Sequence, residues 1–225
     1  MVDTGEFSIV DENKLCDNLG RVVAMANHIF NIGHGEFLLE DEYENQKIFG
    51  GRKQVLEVNL PDGIVIVPWT IRLPTPSLGY GCYLVQNRTN SNRQGIATHD
   101  ELLLPCEYGI DRHFNESNFH KENPSLLVVR KGKSEYVDGI FDLKQRQFVL
   151  PCEYHVHEYK AGLLCITNPR KGYKCGVFDV KSMKIVVPTI YDAMKLDDNR
   201  VCKCVTHKKT IWSRKRKENE IEIQL

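Results

Sequence analysis

Residues 139–154 read GIFDLKQRQFVLPCEY, and residues 176–191 read GVFDVKSMKIVVPTIY. Glycine, proline and tyrosine recur at one spacing, because 176 − 139, 188 − 151 and 191 − 154 all equal 37. A fixed period of this length marks a supersecondary unit that cannot bury its own apolar face and therefore stacks on copies of itself. Within the unit, Gly139-Ile140-Phe141-Asp142-Leu143 alternates too briefly for a helix, the polar residues Lys144 to Gln147 turn the chain, and Phe148-Val149-Leu150 follows. Two short strands about a polar turn predict a hairpin. Pro151 and Pro188 each remove a backbone donor, so the second strand is expected to end there or to lie at a sheet edge.

The period extends in both directions. Gly162-Leu163-Leu164-Cys165 aligns at the same spacing with Asn199-Arg200-Val201-Cys202, giving a third strand per copy, and Cys175 aligns with Trp212, where a further copy begins. Upstream, Gly95-Ile96-Ala97 and Leu102-Leu103-Leu104-Pro105-Cys106-Glu107-Tyr108 form an earlier copy. The polar insertion from Arg112 to Pro124 is expected to be a long exposed loop.

Gly176-Val177-Phe178-Asp179, Val187-Pro188, Tyr191-Asp192 and Ala161-Gly162-Leu163 together resemble the WG-repeat (KWG) family, over about residues 95–213. The tryptophan that precedes glycine in that family is replaced here by Asp138 and Cys175, and Trp212-Ser213 keeps the tryptophan without the glycine. The resemblance implies a β-rich repeat scaffold used as an interaction module, with no catalytic residues to carry over.

The expected fold is mainly β: stacked β-hairpin repeats in an open stack or partly closed barrel, with one N-terminal amphipathic helix. That helix is placed at Asp11 to Phe30, where Leu15, Leu19, Val22, Ala26 and Ile29 step by four, three, four and three onto one face. Gly33 and Gly35 would end it. Val55 to Leu60, the turn Pro61-Asp62-Gly63 and Ile64 to Val67 predict a hairpin. Asn87 to Gln94 reads as a polar hairpin loop. Pro74 and Pro76 interrupt regular pairing and place a boundary, giving an N-terminal region at 1–73, repeats at 79–213 and a charged tail at 214–225.

Composition is that of an ordinary globular chain, 41% apolar and 27% charged. Lys plus Arg equals Asp plus Glu at 30 each, so the whole chain lacks the basic excess of a general nucleic-acid binder, and nucleic acid is not the expected partner. The run Arg214 to Lys217 has two readings, a solvated turn before a final edge strand or a nucleic-acid patch. No leader-like start and no bilayer-length apolar run are visible, so a cytoplasmic chain with reduced thiols, no membrane partner and no cofactor is expected.

Two Cys/His sets have spacings that could hold zinc. In Cys152, His155 and His157, both imidazoles project from one strand face; against this, Cys152 holds the place of Cys106 and Thr189, where a small side chain suffices. In Cys202, Cys204 and His207 the thiols share a face; against this, Cys202 aligns with Cys165, which suits a small buried residue. For catalysis, His99-Asp100, Asp111-Arg112-His113 and Cys106 supply acid, base and thiol groups, but no nucleophile elbow, phosphate loop or HExxH surrounds them. Tyr108, Tyr154 and Tyr191 share one repeat position, either packed between copies or lining a binding surface. With Arg112, His113 and Phe119 of the insertion, they are the candidate partner contacts. The expected function is non-enzymatic: a module that binds another protein, as an accessory, inhibitor or immunity-type subunit. The alternatives are a zinc protein or enzyme using the Cys/His sets, and a nucleic-acid-associated protein using the basic run.

Overall fold

Short strands with alternating apolar residues build both of the units into which the chain divides, Met1–Arg112 and His113–Leu225. The structure is a computed structural model that describes residues 6–50, 54–68, 77–111, 114, 117–132, 136–208 and 217–225. Every strand pairing among them is antiparallel, and no sheet closes into a barrel among the described residues.

In the N-terminal unit, β1 (Phe7–Val10), β2 (Lys14–Asp17) and β3 (Val22–Met25) form one sheet. A second contains β4 (His28–Gly33), β5 (Glu36–Glu40), β6 (Gln46–Phe49) and β7 (Val55–Glu57). β8 (Ile64–Ile66), β10 (Cys82–Asn87), β11 (Asn90–Ala97) and β12 (Leu102–Ile110) run side by side, with β9 (Ser77–Gly79) also on β10. Period-two alternation along β5 serves two cores. Phe37 and Leu39 join Phe7, Leu15 and Phe49 in one, while Leu38 joins Ile32, Ile48 and Ile66 in the other.

The helix expected at Asp11 to Phe30 is replaced by β2, β3 and the start of β4. The Asp17 carboxylate accepts the amides of Leu19 and Arg21 at 3.0 and 2.9 Å, and Gly20 adopts φ +76°. Together they close a turn where the helix would have continued, leaving Leu19 71% exposed. Beyond the turn, the β-branched Val22 and Val23 favour a strand. The hairpin expected at 55–67 is also replaced. Its Pro61-Asp62-Gly63 turn forms, with Ile64 N–H donating to Pro61 O at 3.0 Å, but β7 pairs with β6 and β8 with β10, in different sheets. The 87–94 loop shrinks to Arg88-Thr89, because β11 begins at Asn90. Most of the boundary placed between 73 and 79 lies outside the described residues.

In the C-terminal unit the 37-residue period is visible in the strand pairings from β13 to β18. β13 (Leu126–Lys131), β14 (Val137–Asp142) and β15 (Gln147–Lys160) are followed by β16 (Leu163–Asn168), β17 (Lys174–Asp179) and β18 (Lys184–Tyr191). β19 (Ala193–Leu196), β20 (Val201–Lys208) and β21 (Lys217–Gln224) form a further sheet. Ile140 faces Leu150 and Asp138 faces Tyr154; one period on, Val177 faces Val187 and Cys175 faces Tyr191. Three residues of β15 thus oppose Gly139 alone, which is a β-bulge. The prolines therefore do not end their strands: Pro105, Pro151 and Pro188 sit inside β12, β15 and β18, at bulges where no ladder donor is needed. Glycine is required opposite. A Cβ at Gly95, Gly139 or Gly176 would stand 2.4, 2.8 or 2.6 Å from the carbonyl oxygen preceding the proline.

Each copy's first strand lies between two cores. Leu164 and Ile166 pack with Leu126, Ile140, Leu150 and Phe178, whereas Leu163 packs with Val177, Val187, Tyr191 and Leu196. The last copy departs by one residue. Tyr159 faces Leu164, but its equivalent Leu196 faces Cys202, because the turn after β19 is a residue longer than the period allows. Cys202 and Cys204 therefore occupy the places of Leu164 and Ile166, correcting the alignment with Cys165, and Lys203 points outward to Glu222 at 2.9 Å.

The polar insertion is not an open loop. The short helix α1 (Asn118–Glu122) is capped by Ser117, whose Oγ accepts the Phe119 amide at 3.2 Å. It carries Phe119 into the first core of the unit, edge-on to Phe114 and Tyr159. Trp212, Ser213 and Arg214 to Arg216 lie outside the described residues, and from Lys217 the chain runs as the edge strand β21.

Candidate functional site

Neither Cys/His set is brought together. Cys152 is half-buried over Gly139, its Sγ 3.9 Å from Val129 O, and burial pushes its thiol up to about 12. The His155 ring stacks on Tyr173, and His157 Nε2 lies 2.8 Å from Thr167 Oγ1. Cys202 and Cys204 are enclosed in the last core with their sulfurs 3.3 Å apart, and burial raises both thiols. His207 lies outside that core, its amide donating to Asp192 Oδ2 at 2.7 Å. Among the described residues no three His, Cys, Asp or Glu side chains are grouped to share a metal ion. His99 Nδ1 meets Asp100 Oδ1 at 3.6 Å, burial raises the Cys106 thiol, and Arg112 and His113 lie outside the described residues.

The shared tyrosine position faces inward. Tyr191 belongs to the last core, Tyr154 packs against the one before it, and Tyr108 is 8% exposed. Phe119 is fully enclosed, with no surface of its own to offer in this structure.

Two other surfaces stand out. In the N-terminal unit β3 and β7 are the last strands of their sheets, and both expose apolar side chains: Val22 at 50%, Met25 at 65%, Val55 at 48% and Leu56 at 38%. A groove of about 360 Å³ is lined by Val23, Ala24, Met25, Ala26, Leu39 and Val55, with Asp41, Asn45 and Lys47 at its polar side. The last three also line a second hollow, of about 450 Å³, that carries Glu44, Glu57 and Asp62. Its cations are matched, Lys47 to Glu57 at 2.8 Å and Arg88 to Glu44 at 2.6 Å.

In the C-terminal unit a series of contacts links successive copies. Arg130 lies over the Tyr136 ring at 5.4 Å and donates from Nε to Asp138 at 2.7 Å; Asp138 also accepts the amide of Val156, next to His155. The rings of His155 and Tyr173 are parallel within 2° at 5.8 Å, and the adjoining Lys174 pairs with Asp192, which holds the His207 amide. Charge separates between the units. The C-terminal one has 21 Lys and Arg against 14 Asp and Glu, a net +7; the N-terminal one has 9 against 16, a net −7.

Asp192 makes part of the acid response predictable. The Lys174 ammonium, then the His207 amide, holds its carboxyl below the ordinary value of 3.8. A carboxyl depressed on folding stabilises fully above its unfolded pKa, and that contribution is lost as pH falls through the folded one. In urea unfolding across a pH series, the stability gap between wild type and Asp192→Asn should be constant above about pH 5 and should close as the solution is acidified below 3.8. A gap that persists in strong acid would show that the ion pair does not supply it.

The apolar groove is hidden in the sequence by the helix-like spacing of Leu15 to Ile29, and the charge separation by a total of zero. Only a count taken unit by unit reveals the latter. No family model and no curated protein matches the chain. Among solved structures it is similar to a chain from a crystal structure of the eukaryotic initiation factor, at TM-score 0.31 and 12% identity, covering 89% of this chain and 44% of that one, a likeness too low to carry any argument.

Proposed function

We propose that this chain is a non-enzymatic module that binds another protein, and that its N-terminal unit takes an extended, apolar segment of that partner flanked by basic residues. The observation carrying this reading is the groove between Met25 and Val55, bordered by two terminal strands with exposed apolar side chains. A strand edge offers unpaired backbone groups to an incoming strand, and alternate side chains of the guest would enter the groove. The acidic hollow beside it, with Asp41, Glu44 and Asp62, and the unit's net charge of −7 favour cationic flanks. The accessory, inhibitor and immunity-type roles all belong to this class.

Placing a photo-crosslinking residue at Tyr43, which is 75% exposed, should trap the partner in its native host. Met25→Asp with Val55→Asp should lower that partner's affinity at least about tenfold, since each places a charge in a surface that would be desolvated. Undiminished affinity of the double variant for the trapped protein would rule the groove out.

A further inference from the structure

We propose that the C-terminal unit binds single-stranded nucleic acid along the strip that runs from Tyr136 through Tyr173 to Lys174. This inference is independent of the groove, which belongs to the other unit. Its electrostatic basis is the excess of cations that remains when the basic run near the end of the chain is set aside: residues 113–207 hold 15 Lys and Arg against 11 Asp and Glu, a net +4 that favours a polyanion.

The repeat supplies the pattern. Where the first strand of a copy passes to the second, Arg130 and Lys131 end β13 and Tyr136 precedes β14, and one copy on Arg170, Lys171 and Tyr173 lie between β16 and β17, with Lys174 opening β17. Tyrosine beside two or three cations thus recurs at the corresponding turn of consecutive copies. Sequence-tolerant recognition of single strands needs this combination, cations for phosphates and aromatic faces for unpaired bases. Both rings are accessible, Tyr136 at 48% and Tyr173 at 63%. The Tyr173 ring rests with one face on His155 and presents the other outward. Its backbone is held at φ +60°, in the left-handed region that disfavours a bulky residue, so the local fold imposes this presentation at an energetic cost. Arg170 is available to a ligand, with a side chain 79% exposed and a long contact of 4.0 Å to Glu153. The contacts through Asp138, His155 and Asp192 join the two turns into one surface. An acidic protein would use the cations but would have no need of the stacked rings, which favours the nucleic acid.

The test is fluorescence anisotropy of the full chain with a labelled oligouridylate, titrated at several salt concentrations. The logarithm of the affinity should fall linearly with the logarithm of salt concentration. Arg170→Glu with Lys171→Glu should weaken binding at least about tenfold and flatten the salt slope by about 1.4, two phosphate contacts on a single strand. Tyr173→Ala should cost about fivefold or more while Tyr173→Phe, which keeps the ring, retains affinity. Lys144→Glu with Lys181→Glu removes the same charge from the other turn of each copy and should change affinity less than about twofold. Three results would overturn the proposal: no binding at low salt, equal losses from the two charge-reversed pairs, or polyglutamate bound as tightly as the oligonucleotide.

Discussion

Gly176→Ala should destabilise the C-terminal unit by about 3 kcal/mol and lower its melting temperature by about 10 °C. The added Cβ would stand 2.6 Å from Val187 O, 2.8 Å from Thr189 Cγ2 and 3.0 Å from Pro188 C. The threonine methyl can rotate away, but the carbonyl belongs to a strand held in register by Val177 and cannot. Gly139→Ala should behave alike, because moving the Cys152 sulfur at 2.7 Å still leaves Leu150 O at 2.8 Å. Gly172 is the control. Its φ of +67° makes alanine unfavourable by about 1 kcal/mol, but no atom lies within 4 Å of the added carbon. Calorimetry that ranks Gly172→Ala as the more damaging change would refute the bulge as the reason for the repeated glycine.

Phe119→Ala should cost about 3–5 kcal/mol, the range for deleting a buried phenyl ring. The ring is fully enclosed and makes edge contacts with Phe114 at 6.2 Å and Tyr159 at 5.3 Å. Its loss would open a cavity beneath α1, whose Glu122 accepts from the Tyr159 hydroxyl while the following Asn123 donates to it. Phe119→Leu should recover much of the stability by refilling that volume. If Phe119 were instead a contact for a partner, both variants would melt with the wild type and only binding would change. Denaturant unfolding separates the two outcomes.

The hairpins of the repeat were legible because a glycine, an apolar pair and a proline at constant spacing leave few alternatives to paired strands. The role of the proline was not, since a bulge depends on what faces it, and the facing glycine lies ten or twelve residues earlier. Leu15, Leu19, Val22, Ala26 and Ile29 mimic a helical stripe only because two strands and a tight turn happen to total the same spacing. Asp17, as a turn former, and the adjoining β-branched valines were the local signals against it. Phe119 was misplaced because a lone aromatic in a polar segment carries no periodicity. The two candidate surfaces were obscure for different reasons. Exposure of Met25 and Val55 follows from which strands end a sheet, and the basic strip follows from which strand ends the repeat brings side by side.

The two faces of β16 bear on how such a chain can change in length. Because Leu163 serves one core and Leu164 the preceding one, each junction between copies is built from the same pair of surfaces. Between the two 37-residue copies, removing or duplicating a whole period brings equivalent residues together at the splice, so both cores keep their partners. A single extra residue has a different outcome. After β19 it has exchanged the inward and outward sets of the whole following strand, and cysteines stand where leucine and isoleucine stood one copy before.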